Sequence, residues 1–237
     1  MSRRIRLYRT RIKAWGLRRA LHAFIMQAFA KAGFHIHDVE VGAERYDLMD
    51  PNPPSTPTGY TTRICGKDDL LPFVGDETHL SQEFLEQAFA RGDVCAASFF
   101  HERPVAYKFE TRNRTQVTDQ IDVIIPEGFV YSYKAWTHLD HRQLGLTRAC
   151  AYELIRKRRD ERCHDRVIWY VEKHNYAALL HGPNHPREWS LLMGYVGWLT
   201  LFGKQIPYNS RWANRIGFIF VRVDDDRPRM VAGAQSR

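Results

Sequence analysis

The segment with the clearest chemical potential is Arg142-Gln-Leu-Gly145-Leu-Thr147, which sits between a strand-like run and a long helical one. A glycine immediately before a helix lets the backbone come close to a ligand. The first-turn N–H groups and the positive end of the helix dipole then form an anion site suited to a pyrophosphate. The same glycine is also compatible with a plain turn.

Other combinations of reactive residues fall short of a recognisable site. His174, His181 and His185 would need a helix to share a face, and Gly182-Pro183 and Pro186 interrupt it, so no metal is expected. Ser132, His138 and Asp140 lack the Gly-x-Ser-x-Gly elbow of a hydrolase, and no Gly-x-Gly-x-x-Gly occurs. Cys65, Cys95, Cys150 and Cys163 are far apart and read as buried thiols.

The elements that must position the loop follow from periodicity. Gly128 to Thr137 is strand-like, and Leu146, Cys150 and Leu154 give the following helix an apolar face. Its other face carries Arg148, Arg156, Lys157, Arg158 and Arg159. Upstream, residues 60–65 read as a strand, Asp68-Asp69-Leu-Leu as a helix start and 81–91 as an amphipathic helix. Residues 94–100 and 105–109 read as a hairpin around His101-Glu-Arg-Pro104. Residues 111–120 are polar and read as a loop. Residues 167–171, 195–202 and 216–223 read as strands, with 205–214 between the last two. The expected fold is a mixed α/β sandwich with a largely antiparallel sheet flanked by helices.

Before this body lies a basic arm. The formal net charge is +8, yet Arg3, Arg4, Arg6, Arg9, Arg11, Lys13, Arg18, Arg19 and Lys31 occur in residues 1–34 with no Asp or Glu. The body is therefore close to neutral and gives no electrostatic case for nucleic acid. Residues 12–32 suit an amphipathic helix, a device for an anionic membrane surface, the protein's own body or a second copy. Four prolines within 50–59 predict a linker. The expected organisation is a helical extension over 1–49 holding one short strand near Val39 to Met49, the linker, a catalytic domain over 60–223 and a disordered tail over 224–237. No apolar run is long enough for a membrane helix and no secretory signal is evident. The expected location is the cytoplasm, with membrane association through the arm as an option.

From residue 60 to 223 the sequence resembles the GNAT acyltransferases, which use acyl-coenzyme A. Their signature is Arg or Gln, two residues, Gly, one residue, then Gly or Ala; here it reads Arg142-x-x-Gly145-x-Thr147. Thr137-His138-Leu139-Asp140-His141 is similar to the family's Val-His-Pro-Glu-Tyr lead-in, with Leu139 in place of proline. Arg63 to Leu70, Arg91 to Ala97 and Val105-Ala-Tyr are similar to its first three strands. Asn175 and Met193-Gly194-Tyr195 match its later signposts.

The resemblance implies an N-acyltransferase that moves an acetyl or longer acyl group from acyl-coenzyme A to an amine by direct attack in a ternary complex. It implies pantetheine contacts from Trp136, Thr137 and Asn175. It implies a pyrophosphate site on Arg142, Gln143, Leu144, Gly145, Leu146 and Thr147. Thr147 departs from the family's small residue, and the tyrosine acid of its last helix has no match. The central strand carries no carboxylate to act as base; its candidates are Tyr131 and Tyr133, with Glu110 on the neighbouring strand. A tyrosine, with a pKa near ~10, suits an acid toward the departing thiolate better than a base. A small-molecule, sugar or lipid amine is favoured over a protein acceptor, and nucleic acid is disfavoured. Whether the donor is carried on coenzyme A or on a carrier protein stays open. The competing reading is a binding module without catalysis that acts through its arm on membrane or nucleic acid.

Overall fold

The structure is a computed structural model that describes residues 17, 21, 25, 35–44, 56–75, 77–161, 166–172 and 190–223. Strands β1 (His35–Glu44) and β2 (Tyr60–Cys65) precede helix α1 (Lys67–Leu70) and α2 (Gln82–Ala90). Then come β3 (Val94–Phe100), β4 (Arg103–Thr111), β5 (Thr115–Thr118), β6 (Ile121–Ile124) and β7 (Phe129–Thr137). Helix α3 (Leu146–Asp160) is followed by β8 (Arg166–Glu172), β9 (Ser190–Leu201), β10 (Lys204–Asn209), α4 (Arg211–Ile216) and β11 (Ile219–Arg222). One sheet has the order β10-β9-β1-β8-β7-β4-β3-β2 and a smaller one β11-β6-β5. All neighbours are antiparallel except β7 and β8.

Local signals explain the elements nearest the site. His101 and Glu102 both take positive φ, at 47° and 62°. They form the two-residue connection whose twist matches that of a hairpin, and it joins β3 to β4. Ser81 starts α2 by accepting the Phe84 N–H at 3.1 Å. Alternation along β3 then splits the core. Cys95, Ala97 and Phe99 face α1 and α2, together with Tyr107 and Phe109 of β4. Ala96 faces α3, which buries Cys150 and Leu154 against it and Leu146 against Val105 and Ala106. On the α2 side, Ile121, Val123, Phe218 and Phe220 cover Val41, Tyr131, Ile168, Val196 and Trp198. Tyr133 touches both clusters on that side.

The expected boundary at residues 50–59 does not separate β1 from the body. β1 lies inside the large sheet, paired with β8 from Val39↔Glu172 to Glu44↔Val167 and with β9 from His35↔Thr200 to Glu44↔Ser190. Gly42 permits the close packing there, since a Cβ would fall 2.2 Å from the Trp169 ring. A chain beginning at residue 45 is therefore expected to lose cooperative melting, because β8 and β9 would each expose an unpaired edge. A sigmoidal thermal transition by circular dichroism at the full-length midpoint would show β1 to be dispensable. Of the expected arm helix, Leu17, Leu21 and Ile25 are helical and exposed; the rest of 1–34, and the tail over 224–237, lie outside the described residues.

Three further expectations change. The stretch 205–214 holds β10 and most of α4, the polar stretch 111–120 contains β5, and the last strand begins after Gly217 rather than at residue 216. Arg158, which the spacing puts on the helix face opposite the apolar one, is buried. The thiols behave as read: Cys65, Cys95 and Cys150 are buried and unbridged. Burial pushes Cys65 up to about 12 and Cys150 to about 11, so neither is a thiolate nucleophile near neutral pH. Cys163 lies outside the described residues.

Candidate active site

The parallel partners β7 and β8 pair only from Phe129↔Arg166 to Tyr131↔Ile168. Beyond that point β8 stays with β1, while β7 continues against β4 through Ser132↔Glu110, Tyr133↔Phe109, Trp136↔Tyr107 and Thr137↔Ala106. From Ser132 onward β7 thus has no strand on its β8 side among the described residues. This leaves a wedge with a polar backbone edge, into which an extended amide-containing chain fits. A bulge sharpens it. Lys134 and Ala135 together stand opposite Lys108, Lys134 has φ 47°, and both bulged residues are exposed.

At the far end of β7 the chain turns into α3. The His138 N–H bonds the Val105 carbonyl at 2.8 Å, a short 3-10 turn spans Leu139–His141, and Arg142 is extended. Gln143 and Gly145 then both adopt left-handed conformations, with φ 66° and 72°. Gly145 is the N-cap of α3, and no side chain caps the first turn. A Cβ at Gly145 would meet nothing within 4 Å. The N-terminus of a 15-residue helix therefore opens onto free space with its dipole uncompensated by a cap, as an anion site requires. Arg142, Gln143, Leu144 and Gly145 are exposed and Thr147 is half-buried. The Leu146 side chain is part of the core at 2% exposure, so only its backbone can serve a ligand.

Trp136 stacks on Tyr107, with ring centroids 5.3 Å apart. It lines a cleft of about 550 Å³ with Phe73, Thr78, Arg103, His138 and His141. Thr137, next to it, is half-buried at the mouth of the wedge. Asn175 lies outside the described residues.

Of the three acid–base candidates, the structure brings two together. Tyr131 is buried and stacked between Tyr133 and Tyr170, at 5.4 and 5.7 Å. Burial holds its phenol well above the usual range, and it sits in the core. Tyr133, on the same face and just past the last β7–β8 pair, donates its hydroxyl hydrogen to Asp93 Oδ2 and accepts from Arg91 Nη2 at 3.0 Å. Burial first, and the Asp93 carboxylate second, push its phenol above the usual range.

Glu110 is on the opposite face, in register with Ser132. There it forms an ion pair with Arg158 of α3, both side chains less than 10% exposed. It is a structural carboxylate, separated from the tyrosines by the sheet itself. Conversely, the structure joins Asp93 and Arg91 to Tyr133, two residues to which the sequence alone gives no role at the site. Asp93 is 5% exposed. The signal available in the sequence was a paired Arg and Asp flanking a turn glycine just ahead of an apolar strand.

No protein-family model and no curated protein matches the chain. Solved structures do. A GCN5-related N-acetyltransferase from Sphaerobacter thermophilus aligns with 72% of this chain and 53% of its own, at 14% identity and a TM-score of 0.45. One from Kribbella flavida aligns with 75% and 63%, at 14% identity and 0.41. A putative GNAT acetyltransferase from Novosphingobium aromaticivorans aligns with 75% and 68%, at 11% and 0.42. The chain thus spans between half and two thirds of the length of most of them. The parallel pair that splays, the antiparallel strands around it and the glycine turn into α3 give the mixed, largely antiparallel sheet flanked by helices that the sequence leads one to expect.

Proposed function

We propose that the chain is an acyl-coenzyme A dependent N-acyltransferase. The observation that carries this reading is the left-handed Gly145 turn, which delivers the uncapped first turn of α3 to the end of a strand whose other edge is open. The backbone amides of Gln143 to Thr147 and the Arg142 guanidinium hold the donor pyrophosphate. The Ser132–Thr137 edge pairs with the amide groups of pantetheine, with Trp136 and Thr137 beside it, and Asn175 is assigned the same neighbourhood. This places the thioester near Tyr133. The acceptor amine attacks the thioester carbonyl carbon, the C–N bond forms, and the C–S bond breaks with its electron pair on sulfur. Holding both reactants in one cleft makes this attack effectively unimolecular. An acetyl or a longer acyl group is compatible with the half-open wedge, and a small-molecule, sugar or lipid amine remains the favoured acceptor.

Calorimetric titration with coenzyme A, acetyl-coenzyme A and a long-chain acyl-coenzyme A below its micelle concentration tests the reading. Saturable binding supports it, and the preferred donor fixes the chain length. Absence of binding to all three would overturn it in favour of a binding module that works through the basic residues 1–34, or of a donor carried on a protein.

A further inference from the structure

The Tyr133 hydroxyl has one hydrogen and two lone pairs. The hydrogen goes to Asp93 Oδ2 and one lone pair accepts from Arg91 Nη2. Arg91 also holds Asp93 directly, through Nε to Oδ1 at 3.0 Å and Nη2 to Oδ2. Its own carbonyl accepts from Asn113 Nδ2 at 2.8 Å, and the Asp93 N–H bonds the Ala88 carbonyl at 3.0 Å. The three side chains therefore form a closed set whose orientation is fixed by the end of α2 and the start of β3. What remains to the hydroxyl is one lone pair. Tyr133 and Arg91 line a groove of about 200 Å³ with Phe84, Gln87 and Thr118, next to the point where β7 leaves β8.

We infer that Tyr133 is the contact for the acceptor amine: its remaining lone pair accepts an N–H hydrogen bond from the attacking nitrogen, with Asp93 and Arg91 as the residues that hold the hydroxyl in that sense. The inference rests on the acyl-transfer reading and gives Tyr133 the opposite polarity to an acid that protonates the leaving sulfur, because its hydrogen is committed to Asp93. The contact turns the nitrogen lone pair toward the thioester carbon. Tyr133 keeps its proton throughout. The amine proton departs to water, and water protonates the sulfur of coenzyme A. The groove would accordingly favour nucleophiles that carry an N–H over those that cannot donate.

The experiment follows coenzyme A thiol release from acetyl-coenzyme A with hydroxylamine as the nucleophile, using the full chain, together with acetyl-coenzyme A Kd by calorimetry. The wild type should accelerate hydroxylaminolysis above the buffer rate. Tyr133→Phe should lower kcat/KM for hydroxylamine about tenfold, the scale of one lost hydrogen bond, with the donor Kd unchanged. Asp93→Asn should show a similar loss alone and no further loss in the Tyr133→Phe background, since it acts only through that hydroxyl. Donor binding with no acceleration, a Tyr133→Phe variant equal to wild type, or additive losses in the double variant would overturn the inference. A wild type that binds no acetyl-coenzyme A would overturn the acyl-transfer reading beneath it.

Discussion

Replacing Glu110 by alanine is expected to destabilise the protein by about 3–5 kcal/mol, the usual consequence of removing one partner of a buried ion pair. The pair joins the end of β4 to α3, with Glu110 4% and Arg158 5% exposed. Truncation would leave the guanidinium charge of Arg158 under the sheet without its carboxylate. Replacing both residues with apolar ones of similar size should recover most of the loss, since the desolvation penalty of both ions is then removed. Urea unfolding of Glu110→Ala and of a Glu110→Leu, Arg158→Met double variant checks both statements. A variant that keeps wild-type stability but loses acyl transfer would return Glu110 to the reaction and contradict its place on the α3 face.

The second large effect is expected at Gly145. Gly145→Asp should weaken coenzyme A binding about a hundredfold or more, because a carboxylate beside a pyrophosphate adds a like-charge contact worth several kcal/mol. Space is not the reason, since a Cβ there meets nothing within 4 Å. Nor is folding, since Asp and Asn are the non-glycine residues that best tolerate φ near 72°. Gly145→Asn, of the same size without the charge, should therefore retain much of the binding. Calorimetry on the two variants separates charge from shape. Equal, wild-type affinities in both would remove the pyrophosphate from this turn.

Much of the body was legible because its signals are local. The His101-Glu102 turn, the Ser81 cap and the apolar spacing of Leu146, Cys150 and Leu154 each act within a few residues, and β3 and α2 appear within a residue or two of where they are read. The elements that escaped depend on distant partners. β6 carries Asp122 in its middle, a buried carboxylate that Arg114 reaches at 2.8 Å. β10 contains Pro207, which an edge strand can accept. The insertion of β1 into the sheet leaves no local trace, since its register is set by β8 and β9. At the site, the turn into α3 was readable from Gly145 alone. The carboxylate near Tyr133 was not, because Asp93 stands just before β3, two strands away, and β7 itself carries no carboxylate.

The placement of β1 also orders events in time. A ribosome releases residues 35–44 early, yet the strands that flank them run to Glu172 and to Leu201. Helix α3 and the β2–β3–β4–β7 half can collapse as soon as residue 160 is available. β1 must wait for chain made much later, with a large loop to close before its first ladder bond forms. Refolding should accordingly show a slow final phase in which the two halves of the sheet are joined by a segment that precedes both of its partner strands in the chain. Until then β8 presents a bare edge, the stage at which such a chain is most exposed to aggregation.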